Sequence, residues 1–459
     1  MSEPRLNDPH APLNRTWMQR DLNALWHPCT QMKDHEHYPL IPVRRGEGVW
    51  LEDMAGQRYL DAISSWWVNI LGHANPRINA KLRAQMDKLE HVILSGFTHE
   101  PVIQLSERLG RITPEGLGHC FYGDNGSAAI EIALKMSLHY WRNIGRPEKR
   151  RFLTITNGYH GETVGALSVS DLGLYAAPYE SLLFDVLKVP SPDCFGLPRE
   201  QWDEHAARMF VHMEQAVAQH AHELAAVILE PLVQCAGGMR MYPPSYLTRL
   251  RALCDHHGVQ LIVDEIAVGF GRTGTLFACE QAGIRPDYLC LSKALTGGYL
   301  PLSVVLTTDQ IYDAFYDDYT TMKAFLHSHS YTGNALACAT ALATLDILEE
   351  DDVIAGNRHR AQRMAAAAET FRAHPHVGDV RQTGMIVAIE MVKDKASLTP
   401  FPFEERRGMR AYEVALAHGV LLRPLGNVLY WMPPYVISDD EIDRLAEVTA
   451  LALEAATAS

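Results

Sequence analysis

Residues 289–303 read LCLSKALTGGYLPLS, and the rest of the chain is organised around them. Leu289, Cys290 and Leu291 read as the end of a short buried strand, and Lys293 sits where that strand stops and the turn Gly297-Gly298 begins. Burial beside apolar walls disfavours an ammonium, so a lysine placed there exposes a neutral amine able to form a Schiff base with an aldehyde. A lysine that snorkels its charge to the surface is the competing reading.

Upstream, residues 261–274 read LIVDEIAVGFGRTG. The run Leu261-Ile262-Val263 has the character of a strand covered on both faces, and Asp264 stands at its carboxyl end, where parallel sheets bind ligands. The spacing from Asp264 to Lys293 suits one strand-to-strand crossover, which points both side chains into one crevice. A carboxylate that hydrogen-bonds a pyridine nitrogen keeps it protonated, and a protonated pyridine aldehyde held on lysine is pyridoxal phosphate used as an electron sink. Alone, Asp264 also reads as a helix cap or turn residue. The same stretch holds Gly269-Phe270-Gly271-Arg272-Thr273-Gly274. In a nicotinamide-dependent dehydrogenase such a G-x-G-x-x-G opens a helix directly after the strand and precedes a ribose-binding acid by roughly 20 residues. Here Asp-Glu-Ile-Ala-Val intervenes and Asp287 comes too soon, which disfavours that class.

At 459 residues the chain exceeds the size at which one core stops growing, so two domains are expected. A formal net charge of −14 without a basic cluster argues against nucleic acid and anionic membrane as partners and for small-molecule substrates. No run of 18 apolar residues occurs, and the N-terminus MSEPRLNDPHAPLNR lacks the apolar core of a signal peptide, so a cytoplasmic location is expected. The eight scattered cysteines form no C-x-x-C pair and read as reduced, mostly buried small residues. His327 and His329 lack neighbouring ligands, and no metal is expected.

Along the chain, WHPCT at 26–30 reads as a loop, and Val43 to Tyr59 as a hairpin turning near Ala55-Gly56. In ISSWWVNILGH, 63–73, Trp66 and Trp67 are either core or the aromatic wall of a pocket. From about 75 to 340, strand-like runs alternate with helix-period segments, which predicts right-handed crossovers and a mainly parallel sheet. In CFYGDNGSAAIEIALKMSLHYW, 120–141, the apolar positions Ile130, Ala133, Leu134 and Leu138 set a helix starting near Ser127. Gly126 and Ser127 then offer backbone N–H groups and a hydroxyl to an anion, or form an ordinary cap. RFLTITNGYHG, 151–161, ends in Tyr159 and His160, two flat side chains suited to stack on a heteroaromatic ring. AAVILEPL, 225–232, places Glu230 at a strand end, and Ile266 follows Asp264 on the same face. Beyond 340 a helical stretch, a strand pair broken at Gly384 and a closing helix from about Asp440 to Ala458 form an α+β unit. There Arg423, amid Leu421, Leu422, Pro424 and Leu425, needs either a substrate carboxylate or an internal one. The segments expected are residues 1–70 joining the small domain, 71–340 as the large cofactor-binding domain, and 341–459 as the C-terminal small domain.

Read together, WHPCTQM, SSWWVNILGH, DNGSAAIEIALKM, NGYHGET, EPLVQCAGGMRMY, DEIAVGFGRTG, LSKALTGG, HSYTGN and LLRPLGN resemble, in order, the class III aminotransferases of the fold type I pyridoxal-phosphate superfamily, from Trp26 to Tyr435. The resemblance implies an α/β fold whose large domain carries a mainly parallel sheet of the seven-stranded type, with a smaller α+β domain beside it. It implies pyridoxal 5'-phosphate as cofactor, with Lys293 as the Schiff-base lysine and proton shuttle and Asp264 on the pyridine nitrogen. Tyr159 would stack on the ring, Ile266 would pack its other face, and Gly126 and Ser127 would hold the phosphate. Ser330 would contribute a hydroxyl to the phosphate from the neighbouring subunit of a homodimer whose active site lies at the interface, and His329 would also bind the cofactor. Trp66, Cys29 and Ser328 would line the substrate pocket, and Arg423 would take the carboxylate of the keto acid. Ala267, where many ω-aminotransferases carry glutamine, favours the biotin-synthesis branch, acting on 8-amino-7-oxononanoate, over other ω-amino-acid aminotransferases. Cys29 replaces the tyrosine that usually follows WHP, and His327-Ser328-His329-Ser330 is nearer the H-G-H-S of relatives that use lysine, so the implied donor is S-adenosyl-L-methionine or lysine.

Overall fold

The computed structural model describes residues 6–458, so the first five residues of the N-terminal stretch lie outside it. The chain divides into two compact units: Arg77–Asn357, and Met1–Pro76 together with Arg358–Ser459.

The larger unit is built on seven strands: β1 His119–Gly123, β2 Arg151–Ile155, β3 Leu187–Val189, β4 Leu224–Leu229, β5 Gln260–Asp264, β6 Tyr288–Leu291 and β7 Ser303–Thr307. Their order across the sheet is β1-β7-β6-β5-β4-β2-β3. Strands β2 to β6 pair in parallel, and only β7 runs antiparallel to both of its neighbours. This is the mainly parallel sheet that the apolar runs predict. Every residue of β4, β5, β6 and β7 is buried, which is why their sequences show no alternation. Each fully buried Leu, Ile or Val contributes about 1.5–3 kcal/mol to such a core. The helix Gly126–Asn143 lies on this sheet, its Ile130, Ala133 and Leu134 clustering with Ile228, Ile262 and Val305. It begins where the Asn125 side chain accepts a hydrogen bond from Ala128 N at 3.0 Å.

The smaller unit contains strands Val43–Glu47, Trp50–Asp53 and Arg58–Asp61, joined in parallel by Val420–Leu421. The single hairpin expected over 43–59 is thus two reversals. The first turns on Gly48, whose φ of 57° suits glycine, between strands too short to show a period. A second sheet pairs Val377–Thr383 with Ile386–Asp394 across Gly384, and Val428–Trp431 lies on its other side. The helical text after 340 resolves into Ala335–Glu350 in the larger unit and a further helix from Val353, with Asp352 at a φ of 45° in the break. The last helix, Asp439–Thr457, starts in a capping box between Ser438 and Glu441. Among the described residues no helix is long and apolar enough to cross a membrane.

Candidate active site

Because β6, β5, β4 and β2 are neighbours, their carboxyl ends gather Lys293, Asp264, Glu230 and His160 within the larger unit. Asp264 is the last residue of β5, registered against Cys290 of β6, and is 4% exposed. Its Oδ1 accepts from Ile266 N at 3.0 Å, and its Oδ2 lies 2.7 Å from His160 Nδ1. Lys293 stands two residues past β6, after Ser292 Oγ has donated to Leu302 O at 2.7 Å and fixed the strand end. Its backbone is left-handed, with φ of 46°, a strain worth on the order of 1–2 kcal/mol that persists where the surroundings over-determine it. Burial holds the Lys293 amine below its ordinary pKa, opposed by the charges of Asp264, Cys235 and Glu230.

Glu230, just past β4, accepts from Tyr159 N and Cys235 N, each at 3.0 Å. Burial pushes its carboxyl up to about 7, with His160 lowering it and Asp264 raising it further. Tyr159 and His160 therefore part company. The Tyr159 hydroxyl donates to Glu162 Oε1 at 2.9 Å, whereas the buried His160 meets Asp264 through its ring edge rather than offering a face to a ligand. That pairing spans 104 positions of sequence, and no local pattern announces it.

The N-terminus of the helix Gly126–Asn143 lies nearby in the same unit. A side chain at Gly126 would press on Ile266, its Cβ 2.9 Å from Ile266 Cγ2. Ser127 Oγ accepts from Glu162 N at 3.3 Å, and Gly161, with φ of 125°, packs so tightly on Ser127 that a Cβ would overlap the hydroxyl. The first N–H groups of an α-helix have no partner within it, and its dipole favours a bound anion. A helix N-terminus closed in by glycines, a buried carboxylate with a ring-edge partner and a desolvated amine fit pyridoxal phosphate.

By contrast, Gly269–Gly274 opens no helix; a short 3₁₀ turn, Ala278–Ala282, follows it. Its strand-end neighbour Glu265 is pushed up to about 7 by burial and accepts from Ala278 N and Cys279 N, tying the loop down. Further along, His91 Nε2 lies 2.7 Å from Ser330 O, and His329 Nδ1 lies 3.0 Å from Asp124 Oδ2. Ser328 lies between His327 and His329, whose ring centres are 5.2 Å apart. No group of His, Cys, Asp and Glu among the described residues is arranged to hold a metal.

In the smaller unit Trp67 is core, 3% exposed, while Trp66 is 39% exposed and carries the Arg423 guanidinium 4.5 Å from its ring centre. Among the described residues no carboxylate forms an ion pair with Arg423. Cys29 is exposed, with φ of 49°.

The family described as Aminotransferase class-III matches residues 31–453. An adenosylmethionine-8-amino-7-oxononanoate aminotransferase from Geobacter sulfurreducens is 45% identical over 435 residues, covering 94% of this chain and 95% of that protein. The crystal structure of an adenosylmethionine-8-amino-7-oxononanoate aminotransferase from Methanocaldococcus jannaschii is similar with a TM-score of 0.91 at 38% identity, covering 96% of this chain and 99% of that one. An omega transaminase from Pseudomonas jessenii in complex with PMP is similar with a TM-score of 0.89 at 30% identity, covering 96% and 98%.

Proposed function

The chain belongs to the class-III aminotransferases, pyridoxal-phosphate enzymes, and from that premise we propose that it aminates 8-amino-7-oxononanoate to 7,8-diaminononanoate, a step of biotin synthesis. The chemistry rests on one observation above all: Lys293, an amine made less basic by burial, follows the strand beside the one that ends in Asp264. The choice of substrate is supported by the 45% identity to the Geobacter sulfurreducens relative over nearly the whole chain.

Pyridoxal phosphate supplies an electron sink for the pair left on the substrate carbon when its proton departs. Lys293 Nζ then takes that proton and returns it on the other side of the transferred nitrogen. Asp264 would keep the ring nitrogen protonated, and Ile266 and Tyr159 would confine the ring between them. Gly126 and Ser127 would hold the phosphate, joined by the Ser330 hydroxyl of a second copy in a homodimer, with His329 also binding the cofactor. The amino group comes from S-adenosyl-L-methionine or lysine, whose amine carbon becomes a carbonyl as the acceptor's ketone becomes an amine. Arg423 takes the acceptor's carboxylate, with Trp66, Cys29 and Ser328 lining the pocket, and the enzyme works in the cytoplasm. Purified enzyme offered 8-amino-7-oxononanoate with each donor in turn should form the diamine with one of them. Failure with both donors, alongside brisk turnover of a simple ω-amino acid, would overturn the substrate.

A further inference from the structure

Four consecutive residues of the smaller unit, Ser64, Ser65, Trp66 and Trp67, have φ of 52°, 47°, 71° and 73°. None is glycine. Trp67 N donates to Ile63 O at 2.8 Å and Val68 N to Ser64 O at 3.0 Å, so the segment is one turn of left-handed helix. L residues resist that hand because Cβ crowds the following carbonyl oxygen, and left-handed residues ordinarily occur singly.

The turn is held from both sides. The buried Asp61 carboxylate accepts from Ser65 N at 2.9 Å and Ser65 Oγ at 2.7 Å, and its Oδ2 lies 2.9 Å from His73 Nε2. The Asn69 amide lies 3.0 Å from His73 Nδ1, which keeps the ring edge-on to Asp61. Ser64 Oγ donates to Met432 O at 2.8 Å, and Trp67 Nε1 to the Tyr430 hydroxyl at 3.1 Å. Two adjacent tryptophans are thereby sent apart, Trp67 into the core and Trp66 out against Arg423. A right-handed turn at the same place would re-aim every Cα–Cβ bond in it and take the indole away from the guanidinium.

We propose that Asp61 and His73 are positioning residues for substrate recognition. Together they keep the Ser64–Trp67 turn left-handed, so that the Trp66 ring lies against the guanidinium of Arg423 and leaves its N–H edge to a substrate carboxylate. This rests on the reading of Arg423 as the carboxylate site. Strain of this kind is kept where the surrounding structure over-determines it, and here what it delivers is a cation held over an aromatic face.

The test is single-turnover kinetics of the holoenzyme, each half-reaction followed by the cofactor's visible band. Asp61→Asn puts an amide donor where two donors converge, and is expected to weaken the keto acid by about tenfold while leaving the donor half-reaction within about twofold. Adding Ser65→Gly should restore keto-acid binding, because glycine takes positive φ without strain. A purely structural loss at Asp61 would not be rescued in this way. In an Arg423→Ala background Asp61→Asn should add nothing. If Arg423→Ala itself leaves keto-acid binding intact, the carboxylate reading falls. If Arg423→Ala weakens it but Asp61→Asn does not, or the glycine fails to rescue, the positioning role is overturned. Should Asp61→Asn not fold, His73→Gln carries the same comparison with the same two outcomes.

Discussion

His160 Nδ1 lies 2.7 Å from Asp264 Oδ2 in a site where both groups are almost fully buried. The other oxygen, Oδ1, is occupied by the N–H of Ile266, so the carboxylate is fixed in plane and orientation from two sides. A carboxylate oriented in this way can hold a proton on a ring nitrogen brought beside it. Asp264→Asn keeps the shape and loses the charge. It should still bind cofactor yet turn over at least about 100-fold more slowly, the scale of about 3 kcal/mol seen when one preorganised electrostatic contact is removed. Near-normal steady-state activity in this variant would remove Asp264 from the role.

Lys293 gives a chemical signature. The purified protein should be yellow, and borohydride should bleach the colour and leave the cofactor covalently fixed to one peptide. Mapping that peptide by mass spectrometry is the check: the label belongs on Lys293, and a label on any other lysine refutes the assignment.

Much of this was legible in the sequence for a physical reason. Strands β4, β5 and β6 are covered on both faces, so LAAVIL, the Leu261-Ile262-Val263 of β5 and YLCL stand out as apolar runs, and the residues at their ends are set by where those runs stop. What stayed hidden is what depends on long-range pairing or on hand. His160 looks like a stacking residue until the fold brings Asp264 to its edge. The left-handed turn at Ser64–Trp67 contains no glycine to betray it, and is dictated by Asp61, Tyr430 and Met432 from outside. The break after Glu350 falls between two helical texts of the same period, which only the positive φ of Asp352 separates.

Glu230 predicts a pH dependence of stability. Its folded pKa of about 7 lies above the ordinary carboxyl value of 4.5, so the folded state binds the proton more tightly than the unfolded chain. Its contribution is fully present below about pH 4.5 and is lost as pH rises towards 7, a swing on the order of 3 kcal/mol. Urea unfolding at a series of pH values should therefore show a shallower decline between pH 5 and 7 for Glu230→Gln than for the parent. Parallel curves for the two proteins would show that Glu230 does not carry this shift.

Gly161 tests the phosphate cradle without touching a titratable group. Its φ of 125° belongs to a region that only glycine enters readily, and a Cβ there would overlap Ser127 Oγ and sit 2.8 Å from Ser127 Cβ. The neighbour that must yield is the second residue of the helix Gly126–Asn143, where displaced N–H groups no longer converge on an anion. Gly161→Ala is thus expected to cost about 1–3 kcal/mol locally, and to loosen cofactor binding by roughly tenfold or more. Gly145, with φ of 81° and open space around it, is the control: alanine there is strained but presses on nothing. Cofactor dissociation constants from absorbance titration of the apo proteins separate the two. If Gly145→Ala and Gly161→Ala lose cofactor equally, the effect is general destabilisation, and the close packing of Gly161 on Ser127 has no part in holding the phosphate.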